Sequence, residues 1–132
     1  MARILVAEDD PKQLELRARL LEAGGHEVAV AFCPSEALRQ LSAAEVVILD
    51  LRFPNSRGEP DAAEGLTLIR KIRESGCTAP LIVISGWPGD LDEQPEARLV
   101  SKVMVKPVRM ATLLEAVSAV SAPSQSPPSG EP

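Results

Sequence analysis

Two runs of four apolar residues, Val46-Val47-Ile48-Leu49 and Leu81-Ile82-Val83-Ile84, constrain this chain more than any other feature. A strand that is apolar at every position has no side to offer to water, so it suits a parallel sheet covered by helices on both faces. The stretches between such runs carry helical spacing: leucines at 14, 16, 20 and 21, then Ala37, Leu38 and Leu41, then Leu66, Leu68, Ile69 and Ile72, and finally Met110, Leu113, Leu114 and Val117. Strand and helix therefore alternate along the chain. The prediction is a five-stranded, doubly wound parallel α/β sandwich with right-handed crossovers, its strands at residues 3–7, 27–31, 46–49, 81–84 and 103–105.

Turn residues punctuate that pattern. Asp10 is placed to cap the first helix, with Pro11 in its first turn and Gly24-Gly25 at its end. Gly76 closes the third helix, whereas Pro88, Gly89 and Pro95 interrupt residues 87–98, so a fourth helix there is expected to be short or displaced. From Ser121 onward the sequence reads SAPSQSPPSGEP, which is expected to form a disordered tail or linker and leaves 1–120 as the folded domain. A length of 132 residues with 45% hydrophobic content supports one core. The net charge of -5 repels phosphate backbones and argues against direct nucleic-acid binding. No run reaches about 18 apolar residues, so the domain is expected off the membrane and in the cytoplasm. Cys33 and Cys77 are expected at opposite ends of the sheet as free thiols, and the one histidine, His26, as a solvated turn residue.

In a doubly wound sheet, ligands bind beyond the carboxyl ends of the strands. The polar residues at those ends are Glu8, Asp9 and Asp10 after the first strand, Asp50 after the third, Ser85 after the fourth and Lys106 after the fifth. Two unit charges 4 Å apart interact by about 4 kcal/mol at an effective dielectric near 20, so clustered carboxylates call for a cation among them. Hard oxygen donors of this kind suit magnesium, which is usually held by one or two carboxylates together with a phosphate oxygen. Asp50 then has the character of a nucleophile toward phosphorus, with Lys106 neutralising one phosphoryl oxygen and the Ser85 hydroxyl donating to another.

Taken in order, Ile4-Leu5-Val6-Ala7-Glu8-Asp9-Asp10-Pro11, Asp50 behind its apolar run, Ser85-Gly86 and Lys106-Pro107 resemble the receiver domain of two-component response regulators over residues 1 to about 120. That resemblance implies a CheY-like, flavodoxin-like sheet with strand order 2-1-3-4-5. It implies that Asp50 takes a phosphoryl group from a phosphohistidine on a sensor histidine kinase or a histidine phosphotransfer protein. Magnesium would be bound by Glu8, Asp9, Asp50 and the Arg52 main-chain carbonyl, and a cis peptide would join Lys106 to Pro107. It further implies a bacterial phosphorelay switch that is not an enzyme beyond its own phosphorylation and self-limiting dephosphorylation, that acts on a downstream protein target, and for which a homodimer is one form.

The chain departs from the family pattern in two places. Gly58 falls eight residues after Asp50, where the family has the glycine that opens the third helix, yet the apolar helical pattern starts only after Gly65, as though about seven residues were inserted. Asp61 and Glu64 have capping spacing, which predicts a longer loop and one extra helical turn, with a specificity loop beside the site as the alternative. Val103 stands where the family often has an inward-swinging Tyr or Phe, and the chain has no tyrosine. The signal is expected to pass instead through residues 85–100. Trp87 and Arg52 each lie two residues past a site residue, positions that in receiver-like domains border the path of the hydrolytic water, and the resemblance implies that Trp87 either shields the acyl phosphate or faces a partner.

Other readings remain. A degenerate receiver acting as a phosphorylation-independent interaction module gains from Val103 and the broken fourth helix. A haloacid-dehalogenase-like phosphatase needs a second Asp where this chain has Arg52, and a dinucleotide or flavin carrier needs glycines or hydroxyls where it has Glu8-Asp9-Asp10.

Overall fold

The computed structural model describes residues 2–121. Both apolar runs are buried at every position, as β3 (Val46–Asp50) and as β4 (Leu81–Ser85). With β1 (Arg3–Ala7), β2 (Glu27–Ala31) and β5 (Lys102–Val105) they form one parallel sheet in the order β2-β1-β3-β4-β5. Because successive strand residues point to opposite faces, each run splits between two cores. Leu5, Val47, Leu49, Leu81 and Val83 pack on one side, against Leu68, Ile69 and Ile72 of α3 (Ala62–Glu74) and Ala37 of α2 (Pro34–Arg39). Ile4, Val6, Ile48, Ile82 and Ile84 pack on the other, against Leu14 and Leu21 of α1 (Pro11–Ala23) and Leu113, Ala116 and Val117 of α4 (Met110–Ser121).

The register brings the strand ends level. Ala7 lies beside Leu49, Asp50 beside Ile84, and Ser85 beside Val105, so the residues that follow β1 and β5 emerge at the same edge as Asp50 and Ser85. Helix entry follows the expected caps: the Asp10 carboxylate accepts from the Lys12 N–H at 3.0 Å, and that of Asp61 from the Ala63 N–H at 2.9 Å. Starting at Ala62, α3 gains the extra turn, and Gly65 falls inside it. The Gly65 N–H donates to the Leu51 carbonyl at 2.9 Å, an approach that leaves no room for a Cβ.

The inserted segment is more ordered than a plain loop. Phe53–Pro54 and Pro60–Asp61 pair as a short antiparallel hairpin, with Phe53 buried beneath it and Gly58 at φ +78° in its turn. The Asn55 side-chain oxygen accepts from the Arg57 and Glu59 N–H groups at 2.9 and 3.1 Å, supplying the turn chemistry. Strands of two residues are too short to show a period, which is why the sequence pattern did not reveal them.

No α-helix fills the fourth position among the described residues; two 3-10 turns, Pro88–Asp90 and Pro95–Leu99, take its place. Helix α3 supplies the anchorage that a helix of its own would have given this segment. Arg70 pairs with the buried Glu96 at 2.5 Å, and the Arg73 guanidinium donates to the carbonyls of Cys77 (3.0 Å), Ala79 (2.7 Å) and Leu99 (2.9 Å). On the edge strand β5, the Val103 and Val105 residues are left 41% and 52% exposed. Both cysteines are free thiols, and His26 is engaged rather than idle, its Nδ1 accepting from the Ala2 N–H at 3.0 Å. Among the described residues no helix is long and apolar enough to cross a membrane. Residues 122–132, expected to form a tail or linker, lie outside the described part.

Gly65→Ala forces its new methyl onto the Leu51 backbone, which cannot yield as a flexible side chain would. The substitution is expected to lower stability by about 3 kcal/mol, the upper end for overpacking, as read by urea unfolding. A loss below about 1 kcal/mol would show that α3 slides freely at this contact.

Candidate functional site

Asp50 ends β3 with only 5% of its surface exposed. Its two carboxylate oxygens have different partners. Oδ1 accepts from the Leu51 N–H at 2.7 Å and the Arg52 N–H at 3.3 Å, while Oδ2 accepts from Lys106 Nζ at 2.6 Å. The loop after β5 delivers that lysine: its N–H donates to the Ser85 carbonyl at 2.9 Å, and the peptide to Pro107 is cis, as expected.

Glu8, at the end of β1, is 2% exposed and lies against Asp50. Its Oε1 accepts from Arg17 Nη1 at 2.8 Å and stands 3.8 Å from Lys106 Nζ; its Oε2 accepts from the Asp10 N–H at 3.1 Å. Burial first, and then the charge and hydrogen bond of Asp50, push the Glu8 carboxyl up from its ordinary 4.5 to about 7, against the Asp10 N–H and Lys106, which lower it. Asp9 is half-buried beside it.

The structure adds two details to the expected constellation. Glu8 and Asp50 form a buried carboxylate pair at the strand ends with the half-buried Asp9 next in sequence to Glu8, and among the described residues no group of three or more acidic, His or Cys side chains is close enough to hold an ion by itself. The buried Glu8–Asp50 pair still offers the one or two hard carboxylates that magnesium requires, with waters and a phosphate oxygen completing its shell. Ser85 sits at the end of β4 as expected, but its hydroxyl is engaged within its own loop. It donates to the Trp87 carbonyl at 3.1 Å and accepts from the Trp87 N–H at 3.0 Å.

Two partners were not foreseen. Arg17 occupies a position within the Leu14–Leu21 stripe of α1, where the periodicity asks for an apolar residue, and that breach was the signal to notice. Asp90 binds Arg52 through Nε at 2.8 Å and Nη2 at 3.1 Å, and the Arg52 guanidinium carbon lies 3.8 Å from the centre of the Trp87 ring. This links the loop after Asp50 to the turn after Ser85, and no local pattern announces a pairing across 38 residues.

A groove of about 390 Å³ runs from Lys106 between α1 and α4, lined among others by Leu16, Arg17, Leu20, Met110 and Leu113. A larger cavity of about 740 Å³ opens at the opposite end of the sheet beside Cys77 and contains none of the strand-end residues.

Residues 4–118 match the family model of the response regulator receiver domain. The chain belongs to that family. Receiver domains of two-component systems are phosphorylation-dependent switches that receive phosphoryl groups from histidine kinases. The CAI-1 autoinducer sensor kinase/phosphatase CqsS of Vibrio cholerae is 32% identical over an alignment of 123 positions that covers 89% of this chain and 17% of that kinase. The chain thus spans about a sixth of the length of that relative. Protein PilH of Pseudomonas aeruginosa is 28% identical over 91% of this chain and 98% of its own length. Among solved structures, the response regulator TrrA of Thermotoga maritima, in complex with Mg(2+)-BeF, is 26% identical with a TM-score of 0.78, covering 91% of this chain and 99% of that one. The receiver fold with the expected strand order is therefore the fold of this chain.

The raised Glu8 carboxyl has a signature in stability. The folded receiver keeps this proton to about pH 7, whereas an ordinary glutamate releases it near 4.5, so the folded state holds the extra proton between those values. Stability therefore falls as pH rises through that window and is constant above it. In magnesium-free buffer, the advantage of Glu8→Gln over the parent is expected to grow from pH 5 to pH 8, by up to about 1.4 kcal/mol per unit within the window. Urea unfolding at the two values checks this, and a gap independent of pH would show Glu8 ionised throughout.

Proposed function

We propose that this receiver takes up a phosphoryl group on Asp50 from a phosphohistidine of a sensor histidine kinase or histidine phosphotransfer protein and acts as a cytoplasmic signalling switch. The observation that carries the reading is the buried Asp50 carboxylate, held by backbone N–H groups on one oxygen and 2.6 Å from Lys106 Nζ on the other, with Glu8 alongside. Backbone donors on Oδ1 fix the carboxylate plane, which leaves Oδ2 facing the lysine for in-line attack. The phosphorus–nitrogen bond to the donor histidine breaks as the bond from phosphorus to Oδ2 forms, and the bond electrons leave with the imidazole. Lys106 Nζ then serves the phosphoryl oxygens as a compact positive charge. Ser85 is placed to leave its Trp87 contacts and donate to a second oxygen.

Magnesium, when bound, supplies the charge that screens donor and acceptor from each other; Glu8 and Asp50, with Asp9 and the Arg52 carbonyl, are the groups that would hold it. Hydrolysis of the acyl phosphate returns the carboxylate and inorganic phosphate, so the domain turns over no substrate other than itself. Leu16 and Met110, 62% and 54% exposed on the walls of the groove beside Lys106, favour docking of a partner helix next to the site. The exposed Val103 and Val105 on β5 favour a downstream protein or a second copy at that edge. A phosphorylation-independent interaction module is the second reading; Val103 and the missing helix favour it, and the paired Asp50 and Lys106 count against it.

Intact mass after incubation with magnesium and acetyl phosphate tests the proposal. One added phosphoryl group is expected on the parent, with none on Asp50→Asn and none when magnesium is chelated. A parent that stays unmodified hands the case to the interaction module. Trp87, stacked on Arg52 and 54% exposed, is expected to slow access of water to the acyl phosphate. Trp87→Ala should shorten the phosphoryl lifetime several-fold, and an unchanged lifetime would make Trp87 a partner-facing residue instead.

A further inference from the structure

Arg17 has no role in the scheme above, yet its side chain lies in the acceptor pocket. It is 11% exposed, and its guanidinium is held from two sides: Nη1 donates to Glu8 Oε1 at 2.8 Å, and Nη2 to Gln13 Oε1 at 3.0 Å. Two residues further along the helix, Arg19 shows what an ordinary arginine does here, pairing with Glu15 on the surface at 75% exposure. The contrast in burial means that Arg17 gives up most of its hydration to reach Glu8, which only a specific electrostatic partner can offset.

When Glu8 and Asp50 are both ionised, the buried part of the pocket carries two negative charges, and Lys106 and Arg17 bring two positive ones. The two buried carboxylates are thus balanced before any metal enters, which leaves only the half-buried Asp9 unmatched among the acids named for the metal. Glu8 Oε1 already serves Arg17 and faces Lys106, and Oε2 serves the Asp10 N–H, so a divalent ion that binds Glu8 must share oxygens already in use and face a fixed guanidinium. We propose that Arg17 is a resident cation of the acceptor pocket that competes with magnesium for Glu8 and sets how weakly the metal binds before phosphorylation. The inference rests on the metal-binding reading of Glu8 given above. Adding a phosphoryl group of about -1.5 to -2 charge restores the demand for positive charge, so Arg17 makes metal binding depend on phosphorylation more steeply than Lys106 alone would. It is a positioning residue, acting on the site through Glu8.

The test is a calorimetric titration of magnesium chloride into the full-length protein at pH 8 and constant ionic strength, with Trp87 emission as a second readout. Arg17→Met keeps the length of the side chain without its charge and should bind magnesium about tenfold more tightly than the parent, on the scale of neighbours that tune metal sites. Arg17→Gln should do the same and decides the matter if the Met variant does not fold. Arg19→Met removes an equal charge outside the pocket and should leave the affinity where it was. Equal tightening by Arg19→Met would overturn the inference by reducing it to net charge. Unchanged or weaker binding by the Arg17 variants, with Asp50 still phosphorylated, would overturn this inference alone. An absence of magnesium binding in the parent and in both Arg17 variants would overturn it together with the metal-binding reading.

Discussion

A sheet buried on both faces has no place for polar side chains except at the ends of its strands. In this receiver β3 and β4 are covered throughout, and the chain turns polar only at Asp50 and Ser85. The parallel register then sets the ends of neighbouring strands level, so Glu8, Asp50, Ser85 and Lys106 meet because the core allows them nowhere else. The Lys106–Asp50 contact at 2.6 Å depends on this stacking, since 56 residues separate the two groups in sequence. Burial of the apolar runs is in that sense the origin of the site.

Charges placed there are costly to desolvate, and a buried ion pair is seldom a source of net stability. The pocket accordingly looks arranged for function. Burial and Asp50 push Glu8 toward neutrality, the Asp10 N–H and Lys106 oppose that, and Asp50 keeps one oxygen tied to the backbone while the other meets Lys106. A switch going from about 1:99 to 99:1 needs roughly 5.5 kcal/mol of differential stabilisation. Charge of about -1.5 to -2 arriving among Lys106, Arg17 and a divalent ion is of the right kind to supply much of it.

Under the proposed switch function, the route outward would differ from that of a receiver with an aromatic residue on its last strand. Val103 cannot swing as a ring does, and no fourth helix is present among the described residues to be displaced. In their place stand short turns tied by side chains: Ser85 to the Trp87 backbone, Arg52 to Asp90 and stacked on Trp87, Arg70 to Glu96, and Arg73 to the Leu99 carbonyl. The first two ties lie against the site and the last two against α3. The Ser85 hydroxyl is thus joined directly to the turn that carries Trp87 and Asp90, while the far part of the segment is tied to α3. Such a segment, with Leu91 in the core and its turns held by discrete polar ties, is suited to two alternative arrangements.

Much of this was legible in the sequence. The apolar runs announced a doubly covered parallel sheet, Asp10-Pro11 and Asp61 marked helix starts, the prolines of residues 87–98 excluded a regular helix, and the order of Glu8, Asp50, Ser85 and Lys106 gave the edge at which they would meet. These are properties of period and punctuation, which are local and therefore readable along a line. The two-residue hairpin was too short to have a period. The Arg17–Glu8 and Arg52–Asp90 pairs and the engagement of the Ser85 hydroxyl with the Trp87 backbone were decided in three dimensions. Which donor a buried carboxylate meets depends on what the packed helices bring within about 3 Å, and that choice exists only once the chain has folded.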